Sequence, residues 1–177
     1  MAIHQSPLKS RYELANLCNK LNLVQFAIEI GTNHGVFACK FLEQWRGNRL
    51  ICVDPYEPYD EMPWDRSVDR AFAIANLGRF SIDDRIRLVQ SSLQAANIIQ
   101  QTCGQLGFVY IDGNHRLAGV DVDFWWPKMA RGGIFAGHDW LPKSYPEIVT
   151  AVTNLCQTHS LDCFLIDDSS WYVRVPE

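Results

Sequence analysis

Two short segments concentrate the reactive side chains of this chain. Tyr110-Ile-Asp-Gly-Asn-His115 carries Asp112 and His115, and Gly133-Ile-Phe-Ala-Gly-His-Asp-Trp140 carries His138 and Asp139. Carboxylate oxygens and neutral imidazole nitrogens bind divalent ions, and a site with an open coordination position lowers the pKa of a substrate hydroxyl. Asp112, His138 and Asp139 form the candidate metal set. His115, three residues beyond Asp112, is placed to take the hydroxyl proton as general base, with Asp112 beside it as the second catalytic candidate. A single residue of this kind reads as a turn acid or a hydrogen-bonded histidine; four at the ends of two apolar runs favour function.

A second constellation lies in Phe26-Ala-Ile-Glu-Ile-Gly-Thr-Asn-His-Gly35, an apolar run that ends in an acid and passes into a glycine turn. Glycines 31 and 35 let the backbone turn sharply and approach a ligand, and a helix beginning near His34 would aim unpaired N–H groups at it. The dinucleotide fingerprint Gly-x-Gly-x-x-Gly fails, because Asn33 and Val36 stand at its second and third glycine positions. An acid-lined turn suits a ligand with positive charge, ribose hydroxyls and no pyrophosphate, and S-adenosylmethionine is such a ligand. Glu29, Gly31, Thr32, Asn33, His34 and Gly35 are the candidate contacts, and Asp112 borders the same crevice.

Asp54, followed at once by Pro55, ends the apolar run Leu50-Ile-Cys-Val53 and offers a carboxylate for a ribose diol. Ser91 and Ser92, after Val89-Gln90, suit an adenine edge, although Ser92 equally suits the cap of a helix starting at Leu93. The acidic, aromatic segment 55–66 is longer than a connection needs. With Tyr56, Tyr59 and Trp64 it reads either as a lid or as a surface loop pinned by prolines.

The elements that must position these residues alternate along the chain. After a helix at 8–22 come strand 24–30, helix 34–46, strand 49–54, helix 66–79, strand 86–90, helix 92–103, strand 107–112, helix 117–129, strand 133–138, helix 145–159 and strands 161–167 and 170–175. Unbroken apolar runs such as Phe108-Val-Tyr-Ile111 fit parallel strands covered on both faces. Asp167-Asp-Ser-Ser170 is too short for a crossover, so the last strand must run antiparallel. Val36, Phe37, Phe41, Leu42 and Trp45 recur at helical spacing and form a core face, and Trp125 and Trp126 are expected to pack likewise.

Length and composition bound the alternatives. The 177 residues suit one domain, 1–177, burying roughly 70% of its unfolded surface. A net charge of -4 argues against nucleic acid or anionic lipid as partners. The opening residues lack the apolar core of a secretory signal, and no run approaches the roughly 18 apolar residues of a membrane span, so a cytoplasmic protein without membrane partners is expected. The cysteines at 18, 39, 52, 103, 156 and 163 include no Cys-x-x-Cys pair and read as buried core thiols.

Seven strands with the last reversed, the acid-glycine turn and the Asp-x-x-His element resemble class I S-adenosylmethionine-dependent methyltransferases over nearly the whole chain. The reactive segments resemble a small metal-dependent O-methyltransferase subgroup related to macrolide-sugar and cephalosporin-pathway enzymes. That resemblance implies an α/β Rossmann-like fold with helices on both faces of a mostly parallel sheet. It also implies Asp112 as metal ligand, His115 as base and Asp139 as the second of two metal-binding acids. His138 departs from the pattern, where an acid is common, and moves the expected ion from magnesium towards manganese, iron or zinc. A metal-free variant would keep His115 or His138 as base.

The expected activity is therefore methyl transfer to an oxygen of a small-molecule acceptor. Two other classes fit less of the sequence: a binding or scaffold protein that keeps the cofactor but transfers nothing, and a metal-dependent hydrolase, which leaves the acid-glycine turn unexplained. The acceptor, the ion and the oligomeric state, monomer or homodimer, are left open by the sequence.

Overall fold

The computed structural model describes residues 1–80, 85–101 and 105–177. Its strands are β1 (Ile3–Gln5), β2 (Phe26–Ile30), β3 (Arg49–Val53), β4 (Ile86–Val89), β5 (Leu106–Ile111), β6 (Met129–Gly137), β7 (Cys163–Leu165) and β8 (Trp171–Arg174). The helices are α1 (Leu14–Lys20), α2 (Val36–Gln44), α3 (Ser67–Leu77), α4 (Ser92–Gln101), α5 (Ala118–Trp125) and α6 (Pro146–His159). They build an α/β Rossmann-like sheet of order β1-β7-β8-β6-β5-β2-β3-β4. Only β8 runs antiparallel to its neighbours β6 and β7, as the short 167–170 turn requires.

Side chains on β2, β3 and β5 alternate between two cores. Ile28, Ile51, Val109 and Ile111 face α4, α5 and α6, around the fully buried Trp125. Ala27, Leu50, Cys52, Phe108 and Tyr110 face α1, α2 and α3, where Phe37 stacks on Tyr110 at 3.9 Å and Phe41 on Phe108 at 4.7 Å. Glu29 has the parity of Ala27, so an acid occupies a position on the α1/α2 face.

Among the described residues, eight strands replace the expected seven. β1 adds a parallel edge to β7, pinned by Ser6 N to Leu165 O (2.7 Å) and Cys163 N to Ala2 O (2.9 Å). All three of its residues are exposed, so no alternation marked it. The expected helix 8–22 begins as a 3-10 turn, Arg11–Glu13, capped by Ser10, before α1 starts at Leu14. Helix 34–46 shortens to α2, since Gly35 (φ +73°) caps its start and Trp45 turns extended. Val36 is 52% exposed rather than core. Pro127 converts the end of the expected helix 117–129 into a 3-10 turn, and β6 begins four residues earlier than expected, at Met129. Trp125 is buried, whereas Trp126 is half-buried.

Cysteines 18, 39, 52, 156 and 163 are free and buried. Cys103 and the end of the expected helix 92–103 lie outside the described residues. No described helix is long and apolar enough to cross a membrane.

Candidate functional site

The carboxyl ends of β2, β3 and β5 open onto a cavity of about 620 Å3, a volume suited to a small ligand. Its wall includes Glu29, Gly31, Thr32, Asn33 and His34 from the glycine turn, Asp54 and Pro55 after β3, Ser91 and Ser92 after β4, and Asp112, His115 and Asp139. Gly35 and His138 are not part of this wall.

The glycine turn is held by the two strands beside it. Gly31 N donates to Val53 O at 2.8 Å, and Asp112 N donates to Ile30 O at 2.8 Å. Gly31 adopts φ +88°, and a Cβ there would lie 2.1 Å from the Asp112 carbonyl oxygen, so only glycine fits. Glu29 is 1% exposed, and its Oε2 has no hydrogen-bond partner; neither have the buried Thr32 Oγ1 and Asn33 Oδ1. Burial pushes the Glu29 carboxyl up to about 8, and the nearby Asp112 charge pushes the same way. Three orphaned polar atoms, at the end of β2 and in the turn after it, suit a polar ligand.

Asp54 is saturated. Its Oδ1 accepts from Tyr56 N (2.8 Å) and Arg66 Nη1 (2.9 Å), and its Oδ2 from Asn33 N (2.8 Å) and Arg66 Nη2 (3.2 Å). Arg66 is 3% exposed and donates its Nε to Asp69 Oδ2 at 3.0 Å, while Asp69 Oδ1 lies 2.9 Å from His34 Nε2. A ribose diol reaches the Asp54 oxygens only by displacing one of these donors. Ser91, rather than Ser92, caps α4: its Oγ accepts from Gln94 N at 3.3 Å, and Gln94 Oε1 accepts from Gln90 N at 2.9 Å.

The segment 55–66 folds over this side of the cavity. Pro58, Tyr59 and Met62 line it, Tyr56 is buried with its hydroxyl donating to Asn33 O (3.0 Å), and Trp64 is 52% exposed and away from the lining. Glu61 from this segment meets His115 Nδ1 at 2.7 Å, and Asp60 pairs with Arg116.

His115 follows Asn114, whose side chain caps the 3-10 turn His115–Leu117. Its Nε2 lies 2.9 Å from Asp139 Oδ2, and its ring stacks on Tyr145 at 3.9 Å. Both nitrogens thus face carboxylates. Burial opposes the charged ring, but Asp139 and Glu61 outweigh it and raise the His115 pKa. His138 Nε2 donates to Asp168 O at 3.0 Å, turning Nδ1 towards Asp139 Oδ1 (3.0 Å) and Asp112 Oδ1 (3.8 Å). Burial disfavours the Asp139 anion, yet His115 and His138 hold its pKa below the usual range, and burial lifts Asp112 to about 6. Asp112, His138 and Asp139 each present a ligand atom within 4.8 Å of the others. Two carboxylates with an imidazole whose other nitrogen is anchored on a carbonyl form a donor set that fits a divalent transition ion.

Four cavity or cavity-edge residues carried no readable signal in the sequence. Arg11 lines the cavity from the turn before α1, and Asp121 from α5. Arg66 and Glu61 act across 12 and 54 residues of chain, so no local spacing announces their partners.

Known proteins share this fold. The chain is similar to the O-methyltransferase from Bacillus cereus in complex with S-adenosylhomocysteine (14% identity, 96% of this chain and 81% of that one, TM-score 0.65). It is also similar to TomG, a Streptomyces achromogenes O-methyltransferase of tomaymycin synthesis in complex with S-adenosylmethionine (14%, 94% and 80%, TM-score 0.67). The S-adenosylhomocysteine-bound Podospora anserina methyltransferase PaMTH1 shares the fold as well (15%, 96% and 80%, TM-score 0.65). No curated protein matches the sequence. A family model described as a methyltransferase domain matches residues 28–140, from the middle of β2 through the Asp112, His115, His138 and Asp139 cluster, and the chain belongs to that family of methyltransferase domains.

Proposed function

We propose that this chain transfers the methyl group of S-adenosylmethionine to an oxygen of a small-molecule acceptor, assisted by a divalent ion and by His115. The observation that carries the reading is the set of unpartnered buried atoms on Glu29, Thr32 and Asn33 beside Asp112. Glu29 is the partner for the ammonium of the donor, which would ionise its carboxyl. Gly31, with its backbone against Asp112, keeps the donor within reach of the acceptor side. Pro55 and the serines at 91 and 92 border the nucleoside end, and Asp54 remains the candidate for the ribose hydroxyls once a donor such as Arg66 yields.

Asp112, His138 and Asp139 are the residues to hold a metal ion, which when bound supplies Lewis acidity towards an acceptor hydroxyl. His115 takes the acceptor proton after one of its carboxylate contacts opens. Glu61 is the one to move, since its side chain is 29% exposed against 17% for Asp139. Alignment of the acceptor oxygen with the methyl carbon contributes on the order of 7–11 kcal/mol, and a general base about 10²–10⁴-fold.

A thermal-shift matrix crossing S-adenosylmethionine, S-adenosylhomocysteine and NAD with magnesium, manganese and a chelator tests donor and metal together. S-adenosylhomocysteine is expected to raise the melting temperature, by mass action, while NAD does not. No shift with either adenosyl ligand at millimolar concentration would overturn the reading. A non-catalytic cofactor-binding role is favoured by one observation, that both His115 nitrogens already face carboxylates. Radiolabelled methyl appearing on a catechol or polyol, and lost in Asp112→Ala, disposes of that second reading.

A further inference from the structure

One cationic side chain in the cavity has no part in the proposed reaction so far. Arg11 sits on the 3-10 turn ahead of α1 and lines the same cavity as Glu29 and Asp112. Its position is firmly held. Ser10 Oγ accepts from Tyr12 N at 3.3 Å, the Arg11 amide donates to Asp168 Oδ2 at 2.7 Å, and Leu14, Ala15 and Cys18 behind it are buried. The guanidinium lies 5.5 Å from the centre of the Tyr12 ring, and three-quarters of the side chain is shielded from solvent.

Among the described residues, its one ion pair is a single 3.4 Å contact from Nη1 to Asp112 Oδ2. The other lining arginine differs sharply: Arg66 commits three nitrogens to Asp54 and Asp69 at 2.9–3.2 Å. The Tyr110 and Tyr12 hydroxyls also hydrogen-bond the Arg11 guanidinium, yet it presents five donors in a rigid fork matched to a carboxylate, and one long ion pair with two hydroxyl contacts leaves donors free. Arg11 also stands on the donor side of the cavity. Glu29 and Tyr110 are register partners on β2 and β5, and Tyr110, in the core on the α1/α2 face, hydrogen-bonds Arg11. Asp112 turns Oδ2 towards Arg11 and Oδ1 towards His138, so its carboxylate separates Arg11 from the metal-type cluster.

We propose that Arg11 recognises the α-carboxylate on the methionyl arm of S-adenosylmethionine, an assignment that rests on the donor reading above. That arm carries an ammonium and a carboxylate on one carbon, next to a sulfonium. Glu29 and Asp112 provide negative charge for the two cations. The carboxylate needs a cation on the same sheet face, and Arg11 is the lining arginine with donors to spare. Because the turn that carries Arg11 is anchored independently of the glycine turn, the arm is gripped from two separate parts of the chain.

Calorimetric titration with S-adenosylhomocysteine, and with its decarboxylated analogue that keeps the ammonium, isolates the carboxylate. Arg11→Gln is expected to weaken S-adenosylhomocysteine about ten- to hundredfold, the range for a hydrogen bond to a charged group, and to leave the analogue unchanged. Arg11→Lys should fall between. The retained analogue affinity doubles as the control that Arg11→Gln is folded. Equal losses for both ligands, or no loss for S-adenosylhomocysteine, overturn the assignment. If S-adenosylhomocysteine is unaffected while KM rises for 3,4-dihydroxybenzoate but not for catechol, the fork serves an acceptor carboxylate and the methionyl assignment is wrong. Wild-type protein that binds neither ligand overturns the donor reading itself, a result distinct from any pattern seen only in the variants.

Discussion

Glu29 is a carboxyl group kept from water, without a partner for one oxygen, and it makes the protein's stability depend on pH in a defined sense. Its folded pKa of about 8 exceeds the usual 4.5, so the folded chain holds a proton that the unfolded chain has lost between those values. Stability must then fall as pH rises from about 4.5 to 8, and above 8 the native state carries the whole penalty. Glu29→Gln is expected to flatten this slope. Its gain over wild type should be on the order of a few kcal/mol at pH 9 and vanish near pH 4.5, measured by denaturant melts across that range. The same substitution should weaken S-adenosylhomocysteine, so stability and affinity move in opposite directions. Parallel pH curves for the two proteins would count against a neutral Glu29. At this scale the sequence was legible where chemistry is local: an acid closing an apolar run at Glu29, and Asp112 three residues before His115. It was silent on Arg11, Glu61, Arg66 and Asp121, whose roles come from neighbours distant in the chain.

Elements differ in how firmly they tie the site. The 55–66 segment is bound at its base by the buried Asp54–Arg66 pair and at its tip by exposed contacts such as Asp60–Arg116. Burial decides their weights. Arg66→Ala leaves the buried Asp54 carboxylate without its cation, held only by the Tyr56 and Asn33 amides, and is expected to cost about 3–5 kcal/mol in a urea melt. Arg116→Ala, at a pair more than 60% exposed on both sides, should cost under about 1 kcal/mol. Comparable losses for the two variants would refute the ranking. Buried strands announced themselves through unbroken apolar runs, and the short 167–170 turn dictated the reversal of β8. β1 did not, because three exposed residues at a sheet edge gain their order from backbone bonds to β7 that no side-chain pattern records.

For the molecule as a whole, five described cysteines sit in the two cores, on α1, α2, β3, α6 and β7, and together sample its opening. Maleimide labelling mapped by mass spectrometry should find all five slow in the native state and rapid in denaturant. At a hundredfold excess over its Kd, S-adenosylhomocysteine should slow labelling of those exposed only by global unfolding about a hundredfold. Ligand-independent labelling at Cys39 or Cys52, on the cofactor side of the sheet, would contradict a cooperative unit. The overall architecture was readable because strand and helix signals alternate in register along the chain. The cavity's contents were not, since its wall is assembled from loops following β2, β3, β4, β5 and β6.

The meeting of Gly31 with Asp112 bears on how such a protein can acquire new acceptors. The joint leaves no room for a single methyl group between Gly31 and the backbone of Asp112 and Gly113. Residues 112–115 are therefore poor ground for variation, because any backbone adjustment that suits a new acceptor is transmitted to the donor turn. The tip of the 55–66 segment and the 141–145 stretch before α6 touch the reacting cluster through Glu61 and Tyr145 without sharing that joint. Substrate range should be easiest to redirect there, provided Glu61, which meets His115, is kept.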